Sequence, residues 1–150
     1  MKKAFITGIT GFAGSFLAEY LLAQGDYEVS GTYLSDKSIA NVDPFKDKLK
    51  LFKVDLQNLE DTQKAVSDSN PDEVYHLAAL SSAGASFNNP AEFINNNISA
   101  QVNLFEAIRN ANILPRTLIV SSAEVYGYVD PSNLPINENA PLRPINPSKP

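Results

Sequence analysis

Thr7-Gly8-Ile9-Thr10-Gly11-Phe12-Ala13-Gly14 decides the fold of this chain, because it sets three glycines, with two residues between each, between an apolar run and a helical pattern. Ala4-Phe5-Ile6 leads into it, so a first strand is expected over residues 3–7. Behind it, Leu17, Leu21 and Leu22 fall on one helical face, predicting a helix over residues 14–24 that Gly25 terminates. Glycine allows the tight turn and lets backbone approach a pyrophosphate with no Cβ in the way. The helix N-terminus then offers free amides and a partial positive charge to the phosphates. A glycine triplet alone is weak evidence, and its place at a first strand-to-helix junction is what makes it specific. No Gly-Lys-Ser/Thr follows, so a nucleotide triphosphatase loop is not supported.

Outward from this junction, apolar runs alternate with helical patterns, the signature of βαβ units on a parallel sheet. Strands are expected over residues 28–34, 50–54, 73–79 and 116–121. Asn58 can cap a helix running to Ser67 that carries Leu59 and Val66 inward. Pro90 suits the first turn of a long helix whose inner face would include Phe93, Ile94, Ile98, Leu104, Phe105 and Ile108. Past Tyr128 the texture changes, because Pro131, Pro135, Pro141, Pro144, Pro147 and Pro150 supply six of the ten prolines. The expectation is an α/β chain with a doubly wound parallel sheet of the Rossmann type over residues 1–128, followed by a proline-rich loop over 129–150.

Composition narrows the chemistry. A chain of 150 residues with 43% hydrophobic content can bury a core as one domain. It has no cysteine and one histidine, so disulfides, thiolate metal sites and multi-histidine metal sites are excluded. No metal site is expected. The formal charge of −5 argues against nucleic acid as main partner. No stretch approaches the roughly 20 apolar residues needed to cross a bilayer. Thr7-Gly8 breaks the N-terminal apolar run too early for a signal peptide, and a cytoplasmic location fits the cysteine-free composition.

Four ordered motifs extend the reading: the glycine loop, Val54-Asp55-Leu56, His76-Leu77-Ala78-Ala79, and Ser121-Ser122-Ala123-Glu124-Val125-Tyr126-Gly127. In that order they resemble the extended short-chain dehydrogenases, the nucleotide-sugar epimerases, dehydratases and reductases. The resemblance covers essentially the whole chain. Within the group, the stretches containing ITGITGFAG, PDEVYHLAALSSAGASFNNP and SSAEVYG are most similar to GDP-mannose 4,6-dehydratases and GDP-4-keto-6-deoxymannose reductases.

The resemblance implies that Gly8, Gly11 and Gly14 form the pyrophosphate loop, with Phe12 and Ala13 approaching the phosphates. It implies that Asp55 and Leu56 clamp the adenine, and that Leu77, Ala78 and Ala79 line the cofactor cleft. Ser81, Asn97 and Ser121 stand where the family contacts cofactor or sugar. Ser122 matches the catalytic serine or threonine, and Glu124 the base that dehydratases use at C5 of the sugar. Simpler roles compete. Asp55 could cap the following turn, Asn97 could be a solvated helix residue, and Ser122 could bond to backbone at a strand end. Reductases of the group also carry an acid at the position of Glu124. His76 lies mid-strand and is expected to be a hydrogen-bonded structural residue.

Two departures qualify the match. After the second strand, Gly31-Thr32-Tyr33-Leu34-Ser35-Asp36-Lys37 offers neither a strand-end acid for ribose hydroxyls nor an arginine for a 2′-phosphate. Ser35 and Lys37 could hold a phosphate that Asp36 would repel, so the expected cofactor is NADP, with NAD the alternative. The family's Tyr-x-x-x-Lys pair is also missing, since Ile145 stands four positions before Lys149. The expected activity is oxidation at C4 and loss of water across C5 and C6 of a nucleotide sugar, expected to be GDP-linked. The 4-keto reductase, the 4-epimerase and a non-catalytic NAD(P)-binding module are the alternatives. The resemblance also implies a substrate-binding lobe absent from this chain, and a homo-oligomer for the full-length form.

Overall fold

In a computed structural model, which describes residues 1–143, five strands and four α-helices follow one another along the chain. They are β1 (Lys2–Thr7), α1 (Phe12–Gln24), β2 (Tyr27–Tyr33), β3 (Leu49–Lys53), α2 (Leu59–Ser69), β4 (Glu73–His76), α3 (Ala83–Asn88), α4 (Pro90–Asn110) and β5 (Arg116–Ile119). All four strand pairings are parallel, in the order β3-β2-β1-β4-β5. This is the doubly wound sheet expected, with its order reversing beside β1. The chain divides into Met1–Ile119 and Val120–Pro150. Within the second unit, two short 3-10 turns, Ala123–Tyr126 and Pro131–Asn133, interrupt loop. Ile145 and Lys149 lie outside the described residues.

Each face of the sheet has its own core. Ala4, Ile6 and Val29 pack with Ala18 and Leu21 of α1, joined by Leu17 and Leu22. On the other face Phe5 and Val74 pack with Ala65 and Val66 of α2 and Ala100, Leu104 and Ala107 of α4. The starts of the strands are tied by Glu73, whose carboxylate accepts from the hydroxyls of Tyr75 at 2.8 Å and Tyr27 at 3.1 Å. Those bonds hold Glu73 below the usual carboxylate range, the Tyr75 bond foremost, while burial and the same carboxylate push Tyr75 up to about 12.

Several details depart from sequence expectation. Helix α1 begins at Phe12, two residues before Gly14. Leu59 is 38% exposed, and α2 instead turns Thr62, Ala65, Val66 and Ser69 inward. Strand β4 ends at His76, because β1 ends opposite it at Thr7, and so Leu77, Ala78 and Ala79 lie beyond the strand. On α4 only Leu104 of the expected inner face is fully buried, with Ile108 packed at its margin. Ile94, Ile98 and Phe105 are exposed together with Val102. The helix carries apolar residues on two arcs, and the small Ala100 and Ala107 mark the one that approaches the sheet.

Candidate functional site

The carboxyl ends of the first unit's strands surround a cleft of about 290 Å³. Gly8, Thr10 and Gly11 line it after β1, Leu34, Ser35 and Ser38 after β2, and Asp55 and Leu56 after β3. Leu77, Ala78, Ala79 and Leu80 close it after β4, and Asn96 and Ala100 of α4 complete it. A doubly wound sheet binds ligands in this place, where the strand order reverses.

The glycine loop is built for close approach. Gly8 has φ +69°, and a Cβ there would lie 3.1 Å from the Ala78 Cα. A Cβ on Gly14 would lie 2.3 Å from the Gly8 carbonyl oxygen and 2.9 Å from the Ile9 Cα, both backbone atoms that cannot yield. Only glycine lets α1 start this close beneath the turn. The Gly11 amide donates to the Gly8 carbonyl at 2.9 Å, and the Ser15 amide to that of Gly11. The N-terminus of α1 has no side-chain cap and no acidic residue in its first turn. Phe12 and Ala13 sit in that turn, and Phe12 is 82% exposed.

Behind the glycines stands a residue that the sequence reading passed over. The Thr7 Oγ1 accepts the amides of Leu77 and Ala78, each at 3.1 Å, and lies 2.8 Å from Nδ1 of His76. A hydroxyl ending the strand before the loop was its only sequence signal. His76 is buried and bonded to Thr7, as a structural histidine should be, and burial pushes its pKa below the ordinary value.

Asp55 lines the cleft and also accepts the Gln57 amide at 2.9 Å, so it closes its own turn while facing the cavity. Leu56 beside it is buried. Asn97 is occupied with backbone: its amide side chain accepts from Leu80 N at 2.8 Å and donates to Leu80 O at 3.0 Å. The residue lining the cleft is its neighbour Asn96, which donates to Asn97 and accepts from Gln57. Ser81 is exposed just past Leu80.

After β2 the charges are arranged differently from the order of residues along the chain. Lys53, at the end of β3, donates to Asp36 at 2.5 Å, and this bond raises the lysine's pKa. The parallel register that sets Tyr33 opposite Lys53 brings the pair together. Ser35 caps the following 3-10 turn by accepting the Lys37 amide, whereas Lys37 is exposed and outside the cleft lining. Thr10 and Ser38 share a hydroxyl contact of 2.7 Å, and Asn41 donates to the Thr10 carbonyl, tying this wall to the glycine loop.

In the second unit Ser121, Ser122 and Glu124 are exposed. The Ser122 Oγ accepts the Glu124 amide at 3.2 Å, capping the turn Ala123–Tyr126. Among the described residues no group of histidine, cysteine, aspartate and glutamate could hold a metal ion. Among them too, no helix is long and apolar enough to cross a membrane.

A family model described as GDP-mannose 4,6 dehydratase matches residues 5–148. The chain is 34% identical over 157 residues to a GDP-mannose 4,6-dehydratase of Vibrio cholerae, an alignment covering 97% of this chain and 41% of that protein. It is 32% identical over 145 residues to a UDP-glucose 4-epimerase of Lactobacillus helveticus, covering 97% and 42%. The crystal structure of UDP-glucose 4-epimerase from Bifidobacterium longum in complex with NAD+ and UDP superimposes with a TM-score of 0.81 at 28% identity, covering 95% of this chain and 43% of that one. The chain thus spans less than half the length of the relatives it matches. With this fold, this glycine loop and this match over nearly its whole length, the chain belongs to the GDP-mannose 4,6-dehydratase family, among the nucleotide-sugar dehydratases and epimerases of the extended short-chain dehydrogenases.

Proposed function

We propose that the cleft of Met1–Ile119 binds NADP, with NAD the alternative, for a nucleotide-sugar 4,6-dehydratase acting on a GDP-linked hexose. The observation that carries this reading is the junction of β1 and α1. There the uncapped N-terminus of α1 follows a turn in which Gly8 and Gly14 leave no room for a Cβ, and Gly8 and the N-cap Gly11 line the cleft. The residues present fit a dinucleotide. The free amides of the first turn suit a pyrophosphate, and Asp55 with Leu56 suits an adenine edge and face. Ser35 and Ser38 suit the ribose side, and the Lys53 partner of Asp36 offsets an acid that would otherwise repel a 2′-phosphate. The complex of the Bifidobacterium longum relative with NAD+ supports a nicotinamide cofactor.

When bound, the nicotinamide would accept a hydride from C4 of the sugar and return it at C6. Ser122 would hold and polarise the C4 oxygen. Glu124 would remove the C5 proton, made acidic by the C4 ketone, as the C6 hydroxyl leaves as water. The exposed stripe Ile94, Ile98, Val102 and Phe105 on α4 supports self-association of the natural protein.

Glu124→Gln in the natural protein tests the chemistry. The variant keeps size and hydrogen bonding but lacks the basic carboxylate, so it should reduce bound cofactor with GDP-mannose and then stall. The loss in dehydration rate should be roughly 10²–10⁴-fold. In deuterated water, C5 should take up deuterium with the unaltered protein and almost none with the variant. Full dehydration by Glu124→Gln would assign removal of the C5 proton to another group, whereas an unaltered protein that inverts C4 without losing water would be the second reading, a 4-epimerase, which the Lactobacillus helveticus relative favours.

A further inference from the structure

A hydrogen count at Thr7 assigns a task to the chain's single histidine. The Thr7 Oγ1 has two lone pairs and one proton. The amides of Leu77 and Ala78, both at 3.1 Å, take the two lone pairs. His76 Nδ1, at 2.8 Å, must therefore be an acceptor of the hydroxyl proton, because a third donor would leave that proton unplaced. The imidazole is then neutral, with its hydrogen on Nε2. The two amides belong to the wall of the cleft, and Ala78 is the residue against which Gly8 lies.

We propose that His76 is a positioning residue of the cofactor cleft: as the neutral Nε2–H tautomer it takes the Thr7 proton, freeing the Thr7 oxygen to fix the Leu77–Ala78 backbone against the glycine loop. This rests on the cofactor reading above. Protonating His76 turns Nδ1 into a donor, which forces the hydroxyl to give up one of the two amides. Cofactor binding and a charged His76 therefore oppose each other.

No neighbouring charge complicates this, since burial alone accounts for the lowered pKa of the ring. His76 shares a sheet face with Val74, beneath α2 and α4. On α2, Glu60, Asp61, Lys64 and Asp68 are exposed, and on α4 Glu92 is exposed while Glu106 pairs with Arg109. The strand neighbours in register are the uncharged Thr7 and Ile119.

The test has two parts, both on the natural protein. Nitrogen NMR of histidine-labelled protein, assigned by difference against His76→Asn, should show the Nε2–H tautomer at neutral pH. An Nδ1–H tautomer would overturn the inference without touching the cofactor reading. The second part titrates NADP and NAD against pH. As pH falls below the lowered pKa of His76, the dissociation constant should rise by about tenfold per pH unit, because protons and cofactor compete. His76→Asn places an amide oxygen where Nδ1 stood, and should bind within a few-fold of the unaltered protein while losing this acid dependence. Thr7→Val should weaken binding at least tenfold where Thr7→Ser does not. An acid limb that survives in His76→Asn, or full affinity in Thr7→Val, would reject the positioning role. Failure of the unaltered protein to bind either dinucleotide would instead reject the cofactor reading.

Discussion

Two strand-to-helix junctions of this sheet meet the same physical demand in opposite ways. Every helix begins with amides that lack an intrahelical acceptor. At the start of α2 the chain satisfies them itself: Asn58 Oδ1 accepts the amides of Glu60 and Asp61 at 3.0 and 3.2 Å, and two carboxylates in the first turn suit the helix dipole. At the start of α1 it supplies neither cap nor carboxylate, and Gly8 and Gly14 stand where a Cβ would press on backbone. The self-satisfied junction is a structural joint. The other leaves its donors and dipole to something from outside, which is why a binding site can be read from one and not from the other.

The sharpest way to break this contrast is to add one methyl group to the open junction. Gly14→Ala sets a Cβ 2.3 Å from a backbone oxygen, so the loss of stability should reach or exceed the upper end of roughly 1–3 kcal/mol seen for overpacking. Urea unfolding measures this, and a neutral result would mean that α1 can shift and the cradle is not tight. Asp55→Ala comes next and separates ligand from scaffold. If its carboxylate bonds the adenine, cofactor affinity should fall by about 1.5–3 kcal/mol in calorimetric titration. If it only holds the Gln57 amide, the melting temperature should drop and affinity stay unchanged. The smallest effect belongs to the self-satisfied junction. Asn58→Ala should cost about 1 kcal/mol of stability and leave cofactor affinity as it was. Weakened cofactor binding there would show the two junctions to be less independent than their hydrogen bonds suggest.

A pH series sharpens the same comparison from inside the core. The buried His76 has a folded pKa below its unfolded value, so below the ordinary histidine range the unfolded chain binds a proton that the folded chain refuses. Stability from this group is thus complete above about pH 6.5 and is lost as pH falls from there towards the lowered folded value. His76→Asn should flatten that part of a stability–pH profile.

Much of this was legible in the residues. The glycine spacing, the Asn58 cap and the Pro90 start are local devices, where the chemistry needed lies within a few positions of the residue that supplies it. The doubly wound parallel sheet followed from alternation of apolar runs and helical patterns, whereas its strand order came from the structure. Misreadings arose where a pattern allowed two answers. On α4 apolar residues fill two arcs, and periodicity cannot say which one meets the sheet. The 3-10 turns Asp36–Asn41 and Asp43–Lys48, over the fully buried Val42, carry too few periodic positions to be seen.

Sequence alone thus determined the glycine loop at the first strand-to-helix junction, the parallel α/β sheet and the family, because each depends on the order and spacing of neighbouring residues. Only the tertiary structure decided how the cleft wall is held. Asp36 meets Lys53 through strand register, Asn97 grips the backbone of Leu80 from 17 residues away across α3, and Thr7 reaches His76 from 69 residues away. Such contacts form when parallel strands bring distant segments within hydrogen-bond reach, and no local pattern encodes that distance.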